Sequence, residues 1–163
     1  PMTWSSSPSI PDRILAALPY ILPVIVGLPY GIQLISDFPI FGFLLIPLSP
    51  LLSIYGTLAG TVPFFGLIVF FALILLVVRN PNISHFIRFN TMQAILLDII
   101  LVVFSLVLSL FDPSVFGSLI VSTLSNVVFL GMLAAVGYSL VQTFRGVYAE
   151  IPTISQAVHM QVR

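Results

Sequence analysis

Apolar residues in this chain come in long, almost unbroken runs, separated by short stretches rich in proline, glycine and charge. Neither the alternation of a strand nor the single apolar stripe of a surface helix describes them. Four runs stand out, at about 12–35, 61–79, 83–110 and 117–143. A helix that crosses a hydrocarbon core about 30 Å thick needs about 20 mainly apolar residues, so each run predicts a spanning helix. The first starts on Ser9, Pro11 and Asp12, a capping hydroxyl, a first-turn proline and an acid at the positive dipole end. Pro19, Pro23 and Pro29 inside it predict kinks. Residues 38–58 are apolar but cut by Pro39, Pro47 and Pro50, and the uninterrupted run Ile40–Ile46 is too short to cross. They read as an interfacial or re-entrant segment. Asn80-Pro81 and Asp112-Pro113-Ser114 make the next turns, and residues 150–163 form a polar C-terminal tail. The predicted fold is all-α: a polytopic membrane protein, a four-transmembrane-helix bundle with a short interfacial or re-entrant segment between spans one and two, in a single membrane domain.

Composition removes the soluble alternative. The chain is 59% apolar and 6% charged, whereas soluble domains average about 25% charged. Ten charged residues cannot coat a soluble domain of 163 residues, but the lipid bilayer needs no such coat. The net charge is zero, so nucleic acid is not an expected partner. No cysteine is present, which excludes disulfides and thiolate metal sites. Met2 reads as the native start. No transit peptide stands ahead of the first span, so the chain is expected to enter its membrane through its own spans.

Arginine placement orients the bundle. With four crossings, Arg13, Arg79, Arg88, Arg145 and Arg163 share one side, and the opposite loops carry Asp37 and Asp112. The positive-inside rule then makes both termini cytoplasmic, or stromal in a plastid. A crossing by residues 38–60 would split the arginines four to one.

Span three carries the most informative pattern. Ser84, Thr91, Asp98 and Ser105 recur every seventh residue and share one narrow helical stripe. Asp98 lies roughly 15 Å inward from Arg88 at 1.5 Å per residue, near the bilayer midplane. An ionisable group there costs about 2.5–3.5 kcal/mol on insertion scales and must face protein or water. The stripe reads either as a polar cavity wall along a substrate path, or as a seam that fixes helix packing. Asn126 in span four lies at similar depth and is the first-named partner for Asp98. Arg88, Asn90 and Gln93 cluster at the arginine-rich end of the same span. Interfacial anchoring with Phe86 and Phe89 is their simpler reading, and a docking surface for a soluble-side partner is the sharper one. In span four, Gly131, Ala135 and Ser139 form a small-residue face suited to close helix packing, within the chain rather than between copies. No catalytic motif appears: His85 and His159 have no metal-ligand spacing, and there is no nucleophile elbow, phosphate loop or carboxylate pair. No enzyme activity and no cofactor are expected.

The block Arg79-Asn-Pro-Asn-Ile-Ser-His-Phe-Ile-Arg-Phe-Asn-Thr-Met-Gln-Ala-Ile-Leu-Leu-Asp98 resembles the signature region of the twenty-kilodalton subunit family of Tic, the protein translocon of the chloroplast inner envelope. Tyr148-Ala-Glu-Ile-Pro-Thr-Ile-Ser155 and Met160-Gln-Val-Arg163 are similar to the C-terminal pattern of its cyanobacterial relatives, and Asp12-Arg13 with Leu18-Pro19-Tyr20 to its first span. The resemblance implies four spans with both termini stromal or cytoplasmic, in a cyanobacterial plasma membrane or plastid inner envelope. It also implies membership of a preprotein-conducting complex, with other translocon subunits and the translocating preprotein as partners. The family signature falls on Arg88, Asn90, Gln93 and Asp98. Four short spans make a narrow bundle, so a polypeptide-sized pore would need partner subunits or a homo-oligomer. A small-solute transporter, for instance of amino acids, and a non-transporting membrane scaffold or assembly factor are the competing expectations.

Overall fold

Proline bends the first two helices without ending them. The computed structural model describes residues 7–162, so Met2 and Arg163 lie outside the described residues. Helix α1 runs Ile10–Asp37. Ser9 caps it, its Oγ accepting from the Asp12 N–H at 3.2 Å. At Leu18–Tyr20 and again at Leu28–Gly31 the helix tightens into a 3₁₀ turn that opens on Pro19 or Pro29. Proline has no N–H to return to the preceding turn and its ring crowds the carbonyl there, so the chain tightens and bends while remaining helical. These turns fall at two of the three prolines expected to kink the helix, and Pro23 lies within the α-helical stretch Ile21–Gly27.

The same device operates where a break was expected. Pro47 sits in the first turn of a 3₁₀ step at Ile46–Leu48, and Pro50 in the first turn of the helix Ser49–Thr61. The joining residues Ile46 and Ser49 keep helical backbone angles. Residues 38–58 are therefore not a re-entrant hairpin. Phe38 and Pro39 precede one continuous helix, α2 (Ile40–Thr61), of 22 residues. Helix α3 (Phe65–Val78) follows a turn at Phe64, whose φ of 56° is left-handed. It is a shorter apolar helix, and its last turn widens so that the Arg79 N–H reaches Ile74 O at 3.1 Å.

Helix α4 (His85–Leu108) is capped by the Ser84 hydroxyl, which accepts from the Ile87 N–H. Asp112 caps the short α5 (Pro113–Phe116), and the Ser114 N–H and hydroxyl that bond it hold its carboxyl below the usual carboxylate range. Helix α6 (Ser118–Phe144) completes the bundle, and α7 (Ile154–Gln161) follows it. Among the described residues, α1, α2, α4 and α6 are long and apolar enough to cross a membrane. The chain is an all-α polytopic membrane protein with four such helices, as expected. Helix α2, in the segment expected to be interfacial or re-entrant, is one of the four, and residues 61–79 hold the shorter apolar helix α3.

Helix α4 is the hub, packing against α1, α6, α7 and the end of α3. Tyr20, Val24, Ala94, Leu97, Leu101, Phe129, Met132 and Val136 form the main core between α1, α4 and α6. Two glycines of α1 let it approach α6. A Cβ on Gly31 would lie 2.3 Å from the Phe129 ring, and one on Gly27 would lie 3.0 Å from Met132. The expected small face of α6 does not do this work throughout. Ser139 is buried and Ala135 half-buried, but Gly131 is exposed, with nothing within 4 Å of where its Cβ would be.

The polar tail also folds. Gly146, at φ 75°, reverses the chain after α6 against the Arg13 guanidinium, and residues 147–162 return along α4. Ala149, Ser155, Val158 and Val162 are buried there. Ile151, Ile154, Val158 and Val162 follow three- and four-residue spacing, which gives α7 one apolar side.

Candidate functional site

The arginine end of the bundle is drawn together by side chains that reach backbone carbonyls. Arg13 Nε donates to Pro8 O at 3.0 Å and its Nη1 to Phe144 O at 3.2 Å, joining the start of α1 to the end of α6. Arg88 Nε donates to Val78 O at 2.8 Å, joining α4 to the end of α3. Arg79 follows directly, and Arg145 donates to Gln142 Oε1 at 2.8 Å. The α2–α3 pair thus carries the chain from the Asp37 end back to the arginine end. A long α2 does not split the arginines, because α3 completes the return.

Just inside this end lies a buried polar network. Asn90 Oδ1 accepts from the Tyr20 hydroxyl at 2.7 Å and from the Thr143 hydroxyl at 3.0 Å, while Asn90 Nδ2 donates to Phe86 O at 2.9 Å. Gln93 Nε2 donates to Ala149 O at 2.9 Å and lies 3.3 Å from the Tyr20 hydroxyl and 3.4 Å from that of Ser139. The Ser155 hydroxyl donates to Gln93 Oε1 and accepts from the Ile151 N–H at 2.6 Å. Asn90 and Gln93 are fully buried. This corrects the docking reading of Arg88, Asn90 and Gln93: a docking surface needs reachable groups, and two of the three face only their own chain. Gln93, with Ser155, satisfies the non-helical backbone at 149–151, which a membrane protein must shield from lipid, while Asn90 ties Tyr20 of α1 to Thr143 of α6. Tyr148 closes the network from outside, its hydroxyl 2.8 Å from His85 Nδ1 and its ring edge-on to Phe86 and Phe89. Burial among them pushes its phenol pKa up. Replacing Gln93 with leucine is expected to free the tail, and limited proteolysis should then cut within 147–153 at least tenfold faster than in the parent. That factor corresponds to about 1–3 kcal/mol for the lost buried hydrogen bonds.

The stripe of α4 divides by depth. Ser84 is exposed and spent as the helix cap. Thr91 is fully buried, and its Oγ1 has no hydrogen-bond partner. Asp98 and Ser105 are partly buried. Thr91 lines a cleft of about 450 Å³ between α1, α3 and α4, with Leu15, Leu22, Val69 and Leu73 among its walls. Asp98 lines a second, of about 440 Å³, with Leu22, Val26, Leu67 and Phe70. Leu22 and Tyr55 belong to both, so the two clefts adjoin along the stripe. Tyr55, on α2, packs its ring edge-on to Phe65 at 5.0 Å and lies over the junction. The site is a lateral crevice with apolar walls and three polar side chains, from Thr91, Asp98 and Tyr55. Asn126 is not part of it. Helix α6 packs on the Leu97–Leu101 side of α4, away from Asp98, and Asn126 Oδ1 is buried without a partner. No group of three or more metal-ligating side chains occurs among the described residues.

A family model described as "Chloroplast import apparatus Tic20-like" matches residues 3–158. The chain belongs to the Tic20 family. It is similar to a Tic20 family protein of Synechocystis, 44% identical over 163 residues, covering 99% of both chains. It is also similar to protein TIC 20-v, chloroplastic, of Arabidopsis thaliana, at 36% over 152 residues, 93% of this chain and 71% of that one. The red-algal Tic20 family protein Ycf60 of Porphyra purpurea is 33% identical over 166 residues, 98% of this chain and 80% of its own. The family resemblance drawn from residues 79–98 is thereby established over nearly the whole chain. The family is described as that of a chloroplast import apparatus rather than as an enzyme family, and this chain is a Tic20-like membrane protein.

Tyr55, Gly27 and Gly31 had not been singled out from the sequence. Gly27 and Gly31 stand four residues apart in an apolar helix, the spacing of a close-packing pair. Tyr55 gave no such signal, since its role depends on how α2 folds across α1.

Proposed function

We propose that this Tic20 protein is a membrane subunit of a preprotein translocation complex and that a translocating segment passes along the Thr91–Asp98 side of α4. The observation that carries this reading is Asp98, an intramembrane acid that is only half-buried and lines an apolar lateral crevice together with Tyr55. A carboxyl in an apolar crevice is costly, and a passing backbone amide would supply it with a hydrogen-bond donor. The apolar walls suit a hydrophobic segment, while Asp98 and Tyr55 offer hydrogen bonds at mid-depth. One side of the crevice is closed by α2 and α3, and α2 buries Leu45 alone. A lateral opening of that kind leaves room for partner subunits or further copies to complete a pore. Gathering of the arginines at one end supports a membrane orientation with both termini on the cytoplasmic or stromal side.

A photoreactive residue placed at Thr91 or Tyr55 should crosslink to an arrested preprotein, whereas one at lipid-facing Leu106 should not. Asp98→Leu should cut translocation at least tenfold while leaving thermal stability intact. That factor corresponds to the loss of a charged-group hydrogen bond of about 1.5–3 kcal/mol. Equal labelling from Leu106, or unchanged translocation by the Asp98 variant, rules out this path. Substrate-dependent solute flux in liposomes holding this protein alone would instead support a small-solute transporter.

A further inference from the structure

Helices in a bilayer gain nothing hydrophobic by meeting, because lipid tails are as apolar as they are. Close packing and hydrogen bonds must hold them together instead. The α2–α3 pair has little of either, and is fastened chiefly at its two ends. Near the start of α2, Leu45 is buried and Phe41 packs edge-on to Phe129 at 6.2 Å. At the end of α3, Val78 is buried and its carbonyl accepts from Arg88 Nε at 2.8 Å. Between these points, residues 46–77 include no buried side chain, whereas residues 89–95 of α4 are buried without a break. Leu48, Leu52, Phe70 and Leu73 reach the core only as partly buried neighbours. Among the described residues, no hydrogen bond or salt bridge joins 46–77 to α1, α4 or α6.

The seam beneath the pair is also unfilled. The clefts of about 450 and 440 Å³ both lie where α3 and Tyr55 of α2 meet α1 and α4. A third, of about 110 Å³, separates Leu48 and Leu51 of α2 from Ile14, Leu140 and Phe144. Fixed contacts in proteins close to the density of organic crystals, with few voids larger than a water molecule. We infer that α2 and α3 form a flap, hinged at its two ends, that swings off α1 and α4 and opens the crevice sideways to the bilayer. Opening exchanges loose apolar contact for lipid and breaks no hydrogen bond between 46–77 and the bundle. The two helices move as one, because the Tyr55 ring packs edge-on to Phe65 at 5.0 Å. Its hydroxyl lies 3.4 Å from where a Cβ on Gly66 would be. Non-helical backbone at Phe38 (φ −131°, ψ 88°) and the turn at 79–84 supply the hinges. As a means of admitting a segment to Asp98 the flap rests on the path proposed above; its motion does not.

Spin-label distance measurements on the full chain in liposomes test the motion, and no native cysteine has to be removed first. Labels on Leu58→Cys of α2 and Val107→Cys of α4 should report two separations. Labels on Val107→Cys and Val127→Cys, across α4 and α6, should report one. All three positions are exposed, so the labels displace no core side chain. A single narrow separation for both pairs overturns the flap. A second arm pins α2 to α1 with a disulfide between Ile14→Cys and Leu51→Cys, which line the third cleft. Capture of an arrested preprotein by a photoreactive residue at Tyr55 should be lost in the disulfide form and return on reduction. Capture that survives the disulfide also overturns the flap. Capture absent from both forms sinks the path instead, and the spin-label separations then decide the flap by themselves.

Discussion

Gly31→Ala is expected to be the most damaging single-methyl addition in the chain. The new Cβ would stand 2.3 Å from Cδ1 and Cε1 of Phe129, a fully buried ring that also packs edge-on to Phe41 at 6.2 Å. The ring cannot withdraw without disturbing Phe41, and α1 cannot withdraw without opening the core around Tyr20 and Val24. Overpacking of this sort costs about 1–3 kcal/mol, and the upper end applies where the neighbour is rigid. In thermal unfolding of the detergent-solubilised protein, that corresponds to a fall of roughly 5–10 °C. Gly27→Ala should cost less, because it meets Met132 at 3.0 Å and a methionine side chain can move aside. Gly131→Ala should be neutral, since its Cβ would find open space. Adding Phe129→Leu to Gly31→Ala should recover part of the loss. A Gly31→Ala protein as stable as Gly131→Ala would show that α1 and α6 do not approach closely here.

These glycines also show what could be read from the chain alone. Membrane class and the polarity of α4 are carried by local composition: runs of apolar residues, few charges, and polar groups at seven-residue spacing. Gly27 and Gly31 were equally local and could have been found by the spacing rule that was applied to Gly131, Ala135 and Ser139. Two other features depend on tertiary context. Whether Pro47 and Pro50 end a helix or bend it depends on the first turn into which each falls, and both fall where a missing N–H is harmless. Whether Asn90 and Gln93 face water or protein depends on the tail, whose return along α4 buries them. The tail carries the polar residues Glu150, Thr153, Gln156 and His159, which hid the three- and four-residue spacing of Ile151, Ile154, Val158 and Val162. Polarity singled out Asn90 and Gln93. It could not say whether they look outward.

Asn90 offers the sharpest test of that burial. Asn90→Leu should destabilise the protein by about 2–4 kcal/mol, because the Tyr20 and Thr143 hydroxyls both donate to Asn90 Oδ1, and each stranded buried donor costs about 1–3 kcal/mol. Part of that sum is recovered if Thr143 turns its hydroxyl to a carbonyl in the preceding turn of α6, which sets the lower bound. The cost arises from the orphaned partners more than from the missing amide, and this leads to a counter-intuitive expectation. Adding Tyr20→Phe to Asn90→Leu removes one orphan and should raise stability above that of the single variant. Adding Thr143→Val removes the other and should bring the triple variant close to the parent, since replacing all partners by apolar groups of similar shape is nearly neutral. Tyr20→Phe in the parent background should be mildly destabilising, so the sign of its effect reverses with residue 90. Such a reversal is a coupling that only direct contact across α1, α4 and α6 produces. If Asn90 were a solvent-facing docking residue, leucine there would change stability by less than about 0.5 kcal/mol, and Tyr20→Phe would have the same effect in both backgrounds.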